Sequence, residues 1–109
     1  MLKDTLYHTK RYLTENDRFE AGIVLASDHW ILQAHFPEYP VVPGAALVQT
    51  AAELTPGDGT ILDLRSVKFL QMVRPGEELQ INGQRNNGWW KVAFFRQEQC
   101  CCKMEYTYG

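Results

Sequence analysis

Apolar and polar residues alternate along most of this chain, and the alternation predicts an antiparallel sheet with one buried face. Five segments show this pattern or are mostly apolar: residues 18–27, 60–73, 78–85, 89–96 and 98–108. Because side chains of a strand point to opposite faces in turn, each segment predicts one strand. Residues 1–16 have apolar positions that are too loosely spaced to decide between a short helix and a strand.

The last two predicted strands are joined by Asn86, Asn87 and Gly88, residue types that tolerate the positive φ of a tight hairpin turn. In the final strand, alternation predicts two faces. One face carries Cys100, Cys102, Met104, Tyr106 and Tyr108, and the other carries Gln99, Cys101, Lys103, Glu105 and Thr107.

One helix is predicted in the middle of the chain, after a stiff loop. Three prolines in residues 37–43 fix their own φ and restrict their neighbours to extended geometry. Good helix formers follow in residues 45–54, and Pro43 or Gly44 is expected to begin the helix. Its free N–H groups would favour an electron-rich oxygen near Gly44, as in an oxyanion hole. One helix with five strands predicts an α+β fold.

Length, composition and charge narrow the class of protein. The chain has 109 residues, of which 45% are hydrophobic, so we expect a single domain over residues 1–109. The net charge is −2 and the 11 Lys and Arg residues are scattered, which argues against a nucleic-acid partner. No apolar run reaches the ~20 residues of a membrane span, and the first residues lack the apolar stretch of a signal peptide. We therefore expect a cytoplasmic protein.

Cysteine and histidine positions argue against a metal site. Cys100, Cys101 and Cys102 are adjacent, and neighbouring Cα atoms only ~3.8 Å apart are too close for the usual disulfide. The three histidines lie far from the cysteines in sequence and form no paired ligand motif. We expect buried thiols in a strand and no metal.

The proline loop carries a recognisable motif, His35-Phe-Pro-x-x-Pro-Val-x-Pro-Gly44, followed by the predicted helix. This motif resembles the 3-hydroxyacyl-(acyl carrier protein) dehydratases of the hot-dog fold, and residues 67–79 resemble the family's next strand and Pro-Gly turn. The resemblance implies an antiparallel sheet wrapped around one central helix. It also implies a homodimer or higher homo-oligomer with active sites at the subunit interface. The short chain resembles small relatives from aryl-polyene, flexirubin or other specialised lipid pathways.

The resemblance also implies roles for individual residues. His35 would exchange the C2 proton of a 3-hydroxyacyl thioester, the N–H of Gly44 would polarise the thioester carbonyl, and the carbonyl of Val41 would orient the histidine. Phe36 and Pro43 complete the expected substrate-binding residues. Imidazole, with an unperturbed pKa near ~6.5, suits proton exchange at neutral pH. The product would be a trans-2-enoyl thioester on an acyl carrier protein, formed without a cofactor.

The helix carboxylate that such dehydratases use is not at its usual position in this sequence. Family members usually have Glu or Asp at the position of Gln49, and the common long-chain type has Gln at the position of Glu53. The two positions share one helix face about one turn apart, so Glu53, with Gln49, is the candidate acid for the departing hydroxyl. A glutamate near a helix end can equally be a solvated or capping residue.

Two other functions remain open. The same fold also serves acyl thioesterases, and a non-catalytic hot-dog subunit could bind acyl chains or pair with an active dehydratase. Four basic residues could contact an acidic carrier protein or its phosphopantetheine phosphate, or could be solvated strand charges: Arg65, Lys68, Arg74 and Arg85.

Overall fold

The structure, a computed structural model, describes residues 2–29 and 41–109. In chain order, the described elements are β1 (Tyr7–Glu15), β2 (Arg18–Leu25), α1 (Gly44–Leu54), β3 (Ile61–Phe69), β4 (Glu78–Asn86), β5 (Trp89–Arg96) and β6 (Gln99–Tyr108). The five predicted strands and the helix are therefore confirmed, and residues 1–16 contain a strand. Most of the proline loop, with His35 and Phe36, lies outside the described residues.

The six described strands form a single sheet in the order β1-β2-β4-β5-β6-β3. Each neighbouring pair is antiparallel. After β2, the chain passes through α1 to the far edge of the sheet, where β3 pairs with β6. Strands β4 to β6 then fill the space between as a meander. The predicted α+β architecture is confirmed.

One face of the sheet and one side of α1 form the core. In β2 the alternation is regular, with Phe19, Ala21, Ile23 and Leu25 buried. The buried residues of the helix are Ala46, Leu47, Thr50, Ala51 and Leu54. Burial of this apolar area is the main favourable contribution to folding, at roughly 25 cal/mol per Å². The core thus holds α1 against the inner face of the sheet.

Tyrosine and threonine side chains bond the carbonyls at the C-terminal end of α1. The hydroxyl of Tyr12 donates to the carbonyl of Leu54 at 2.5 Å. Tyr106 donates to the carbonyl of Ala51 at 3.3 Å, and its hydroxyl also lies 2.5 Å from Oγ1 of Thr55. The last carbonyls of a helix have no partner within the helix. Strands β1 and β6 therefore provide side-chain partners for the helix end.

A bulge in β6 interrupts the predicted alternation. Phe94 of β5 pairs with Cys102, whereas the next residue, Phe95, pairs with Cys100, so Cys101 is an extra residue in the strand. Cys101 and Cys102 are both buried, although strict alternation placed them on opposite faces. Burial raises the pKa of the Cys102 thiol to about 12. A sequence pattern of period two does not reveal where such a bulge occurs.

The turn between β4 and β5 has the predicted geometry. Asn87 has a φ of 52° and Gly88 a φ of 80°, which lie in the left-handed region. This is the conformation of a two-residue hairpin turn whose twist matches the flanking strands.

Candidate active site

The start of α1, predicted to be an oxyanion site, lies within the described residues. Pro43 precedes the helix with φ −60° and ψ 146°, and the N–H of Val42 bonds to the carbonyl of Val73 at 2.7 Å. The first intrahelical bonds run from Ala46 to the Pro43 carbonyl. Within the described residues, the N–H groups of Gly44 and Ala45 therefore have no acceptor. They can stabilise negative charge on an oxygen that binds at the N-terminal end of the helix.

Gly44 allows a close approach at this point. The ring of Phe69, the last residue of β3, lies against it, and a Cβ atom at position 44 would fall 2.5 Å from the ring's Cζ. Because glycine has no side chain, the ring of Phe69 can pack directly against the helix start.

An open cavity of about 390 Å³ lies beside the helix start. It is lined mainly by apolar side chains, among them Val41, Pro43, Leu47, Phe69 and Met72. Three of the predicted substrate-binding residues, Val41, Pro43 and Gly44, thus lie together at one cavity. Phe69 and Met72 were not predicted as site residues, although both belong to the family-like segment 67–79. Such a lining suits an acyl chain or the apolar part of a thioester.

Gln49 and Glu53 lie elsewhere on α1, beside the N-terminal segment. The carboxylate of Glu53 accepts hydrogen bonds from the N–H of Leu2 at 2.8 and 3.1 Å and from the N–H of Lys3 at 2.9 Å. It also accepts from the hydroxyl of Tyr7 at 3.0 Å and from Nε2 of Gln49 at 2.9 Å. The carboxylate therefore binds the first residues of the chain to the second half of the helix.

These donors decide the protonation of Glu53. Burial acts to raise the pKa of the carboxyl, but the hydrogen bonds from the Leu2 backbone, Gln49, Tyr7 and Lys3 outweigh it, so the pKa lies below its ordinary value. Burial and the bond to Glu53 raise the pKa of Tyr7. Glu53 is therefore ionised at neutral pH, which makes it a poor proton donor. Its predicted catalytic role stays a prediction, and the structure gives the carboxylate a structural function.

The same geometry orients Gln49. A carboxylate can only accept hydrogen bonds, so the amide of Gln49 must turn its NH₂ group toward Glu53. Its carbonyl oxygen then faces away from Glu53, on the exposed side of the helix. In this orientation Gln49 offers an acceptor but no acidic proton.

The described residues show two further features. They contain no group of three or more His, Cys, Asp or Glu side chains positioned to hold a metal ion. None of their helices is long and apolar enough to cross a membrane. The predicted roles of His35 and Phe36 stay predictions.

Relatives of known activity resemble this chain in sequence. It is 30% identical over 96 residues to the 3-hydroxyacyl-(acyl-carrier-protein) dehydratase FabZ of Saccharophagus degradans, an overlap of 72% of this chain and 66% of that enzyme. It is 33% identical over 78 residues to the FabZ of Ralstonia nicotianae, covering 56% of this chain and 48% of the enzyme. The chain thus spans about half to two thirds of the length of these curated relatives.

Solved structures resemble it in fold. One chain of the dehydratase heterocomplex ApeI:P from Xenorhabdus doucetiae superposes with a TM-score of 0.81 at 15% identity, covering 93% of this chain and 96% of that one. A thioesterase from Haemophilus influenzae gives a TM-score of 0.62 at 18% identity, covering 95% and 78%. These likenesses show that the sheet and helix form a hot-dog fold.

The family itself follows from a match that spans most of the chain. Residues 11–105 fit the ApeI-like family model, which describes the ApeI dehydratase. Because this match agrees with the FabZ relatives and with the hot-dog fold, this chain belongs to the ApeI-like dehydratase family.

Proposed function

We propose that this chain removes water from a 3-hydroxyacyl thioester carried by an acyl carrier protein in the cytoplasm, giving the trans-2-enoyl thioester. The observation that carries the proposal is the start of α1, where the N–H groups of Gly44 and Ala45 lack acceptors within the described residues and an apolar cavity lies alongside. Relatives named as FabZ dehydratases and the family match support the same reaction.

In the proposed reaction, His35 takes the C2 proton of the substrate. The electron pair of the C2–H bond moves toward the thioester carbonyl, whose oxygen gains negative charge beside the N–H of Gly44. That pair then forms the double bond between C2 and C3 as the 3-hydroxyl leaves. The hydroxyl departs as water with a proton, which the imidazolium of His35 can return because it has just received one. No metal or other cofactor enters this balance.

The properties of Gln49 and Glu53 bear on which group gives a proton to the departing hydroxyl. Gln49 carries no acidic proton, and Glu53 is ionised and bonded to the N-terminal segment. If His35 returns the proton, Glu53→Gln should leave the chemical step largely intact in folded protein. If Glu53 is the acid instead, that variant should lose activity on the order of 10²-fold or more.

The assay is enoyl absorbance after mixing the protein with a 3-hydroxyacyl carrier thioester. We expect turnover in the wild type and its loss in His35→Ala. Turnover that is undiminished in His35→Ala would refute the mechanism. Gln49→Glu places a carboxyl at the family's usual position. A large gain in the rate of enoyl formation would show that the wild type lacks an efficient acid. Release of free thiol without enoyl product would instead indicate thioester hydrolysis.

A homodimer is part of the proposal. Strand β3 lies at one edge of the described sheet, and it and the following residues expose large apolar side chains: Leu62 at 63%, Leu64 at 44%, Phe69 at 53%, Leu70 at 48% and Met72 at 67%. An apolar edge strand with unpaired backbone groups is a surface that another strand can cover. Sedimentation velocity should show a dimer that Leu62→Lys weakens. A wild-type monomer at micromolar concentration would contradict this.

One observation favours a second candidate, a subunit that pairs with an active dehydratase. The carboxylate nearest Gln49 is held by the N-terminal segment, so it is not free to serve as an acid. The dehydratase from Xenorhabdus doucetiae is described as a heterocomplex, which supports such pairing for a chain of this fold. Co-purification with a homologous dehydratase, together with no turnover by this chain alone, would favour this candidate.

A further inference from the structure

Three lysines gather on the outer face of the sheet, away from the core. Lys68 of β3 and Lys103 of β6 are direct cross-strand partners, and Lys91 of β5 lies opposite Glu105. Residues on facing positions have Cβ atoms about 4.5–5.5 Å apart, and like charges directly opposite each other destabilise a sheet. We call these three residues the lysine patch. The facing pair Lys68 and Lys103 is expected to lower the stability of the sheet.

The lysine patch is poorly neutralised within the described residues. Glu105 is the acidic side chain within it, and its carboxylate bonds to Arg65 at 3.0 Å. Asp63, opposite Thr107, lies on the same face beside Arg65. Counting Arg65 with the three lysines and Asp63 with Glu105, four cations minus two carboxylates give a formal charge of +2. On the adjacent strand β4, Asn82 and Gln84 face this region, and both are neutral. None of the three lysines forms an ion pair within the described part of the chain.

The other strand cations are bonded. Lys10 pairs with Glu78, Arg85 with Asp17, and Arg18 with Glu20. The guanidinium groups of Arg96 and Arg11 bond to Glu77 and Gln80, respectively. Gln80 is neutral, so the charge of Arg11 is also uncompensated. Among the described strands, the lysine patch groups three lysines that have no ion pair, although the whole chain has a net charge of −2.

The shape and position of the lysine patch fit a docking surface. The lysines surround an open depression of about 240 Å³ that also includes Ser66 and Ala93. Lys68 precedes Phe69, the residue whose ring lies against Gly44 at the candidate site. The patch and the site therefore lie on opposite faces of the same end of β3, at the edge of the sheet.

We propose that the lysine patch is where an acidic protein surface docks, and that this surface is the carboxylate-rich face of the acyl carrier protein that delivers the thioester. The partner's identity rests on the proposed function, and the docking rests on charge complementarity. Of the four basic residues considered from the sequence, Arg65 and Arg85 are paired. Of the other two, Arg74 lies between β3 and β4, outside the strands, and Lys68 belongs to the lysine patch. Lys91 and Lys103 were not predicted from the sequence.

The test is the affinity of the full-length protein for a purified acyl carrier protein, measured by calorimetry. The triple variant Lys68→Gln/Lys91→Gln/Lys103→Gln should bind about 3- to 100-fold more weakly, as expected for the loss of three exposed charge pairs. The wild-type affinity should fall with added salt, and the variant should show a smaller salt dependence. Lys10→Gln is the matched control and should bind like the wild type. A thermal melt establishes that the triple variant is folded.

Carrier protein with and without its phosphopantetheine arm separates the protein surface from the arm's phosphate. If the triple variant binds both forms more weakly by the same factor, the acidic protein surface docks at the lysine patch. If it binds only the form with the arm more weakly, the lysines bind the phosphate and the proposal is overturned. Unchanged affinity of the triple variant, or equal weakening by Lys10→Gln, would also overturn it. Enoyl formation from a small N-acetylcysteamine thioester reports on the reaction independently. If the protein forms no enoyl product but still binds the carrier protein through the lysine patch, the proposed function is contradicted and the docking surface is supported.

Discussion

Glu53 should matter more for stability than an ordinary surface glutamate. In Glu53→Gln, the side chain keeps its size but loses its charge and presents an NH₂ group to donors that need an acceptor. Hydrogen bonds to charged groups contribute about 1.5–3 kcal/mol each. The N–H of Leu2 and the hydroxyl of Tyr7 are the more buried donors. Because glutamine keeps one acceptor oxygen, we expect a loss of about 2–4 kcal/mol in the free energy of unfolding.

This loss can be measured by urea unfolding and by thermal melting followed with circular dichroism. For a domain of this size, about 2–4 kcal/mol corresponds to a fall of roughly 8–30 °C in Tm. Glu78→Gln is the control, because Glu78 pairs with Lys10 at an exposed site where both side chains are more than half accessible. Such a pair contributes about 0–1 kcal/mol. Tyr7→Phe removes one donor, and its effect should be smaller in the Glu53→Gln background than in the wild type.

The pH dependence provides a second check. The folded-state pKa of Glu53 lies below its unfolded value, so its contribution is present above the unfolded pKa and is lost as pH falls through the folded pKa. The stability difference between the wild type and Glu53→Gln should be constant above about pH 5.5 and shrink below about pH 4. A Glu53→Gln variant within about 0.5 kcal/mol of the wild type at pH 7, or a difference that does not change with pH, would refute this account.

Three further outcomes follow from the fold. Gly83→Ala should lower the free energy of unfolding by about 1–3 kcal/mol in chemical denaturation, because the new Cβ would overlap the buried ring of Phe19. Gly22→Ala is the control and should cost less, because its Cβ would have ordinary contacts. Equal costs would contradict the steric reason. Gly88→Ala should cost about 1 kcal/mol in the same assay, because the residue has a φ of 80°, and no loss would contradict the hairpin geometry. The thiol of Cys102, whose pKa is raised to about 12, should resist a thiol reagent at pH 8 until the protein unfolds; rapid labelling of native protein, located by mass spectrometry, would contradict its burial.

The sequence predicted most of the fold because local signals and burial agree along it. In β2 the period-two pattern matches one buried face, and Asn87 and Gly88 supply the φ values that their turn requires. Strand β1 could not be predicted because it is an edge strand whose residues beyond Thr9 are exposed, so its pattern carries little information. The bulge at Cys101 was missed because it depends on pairing with β5 and leaves no mark in the residue types.

The candidate site was predicted in part. The helix start at Gly44 followed from Pro43 and the helix formers behind it, which are local signals. The environment of Glu53 depends on Leu2 and Tyr7, which lie far away in sequence and meet the helix only in the folded chain. Spacing on the helix correctly placed Gln49 beside Glu53 but could not show that other donors already occupy the carboxylate.

The strand order has a consequence for how the chain folds. Among the described strands, β3 pairs with β6 alone, and some 30 residues separate the end of one from the start of the other. During synthesis, β3 therefore has to wait for β4, β5 and β6 before its backbone finds a partner within the described chain. The stage between synthesis of β3 and synthesis of β6 is when the nascent chain is most open to aggregation. A protein shortened before β6 would lose two strands of the sheet instead of one.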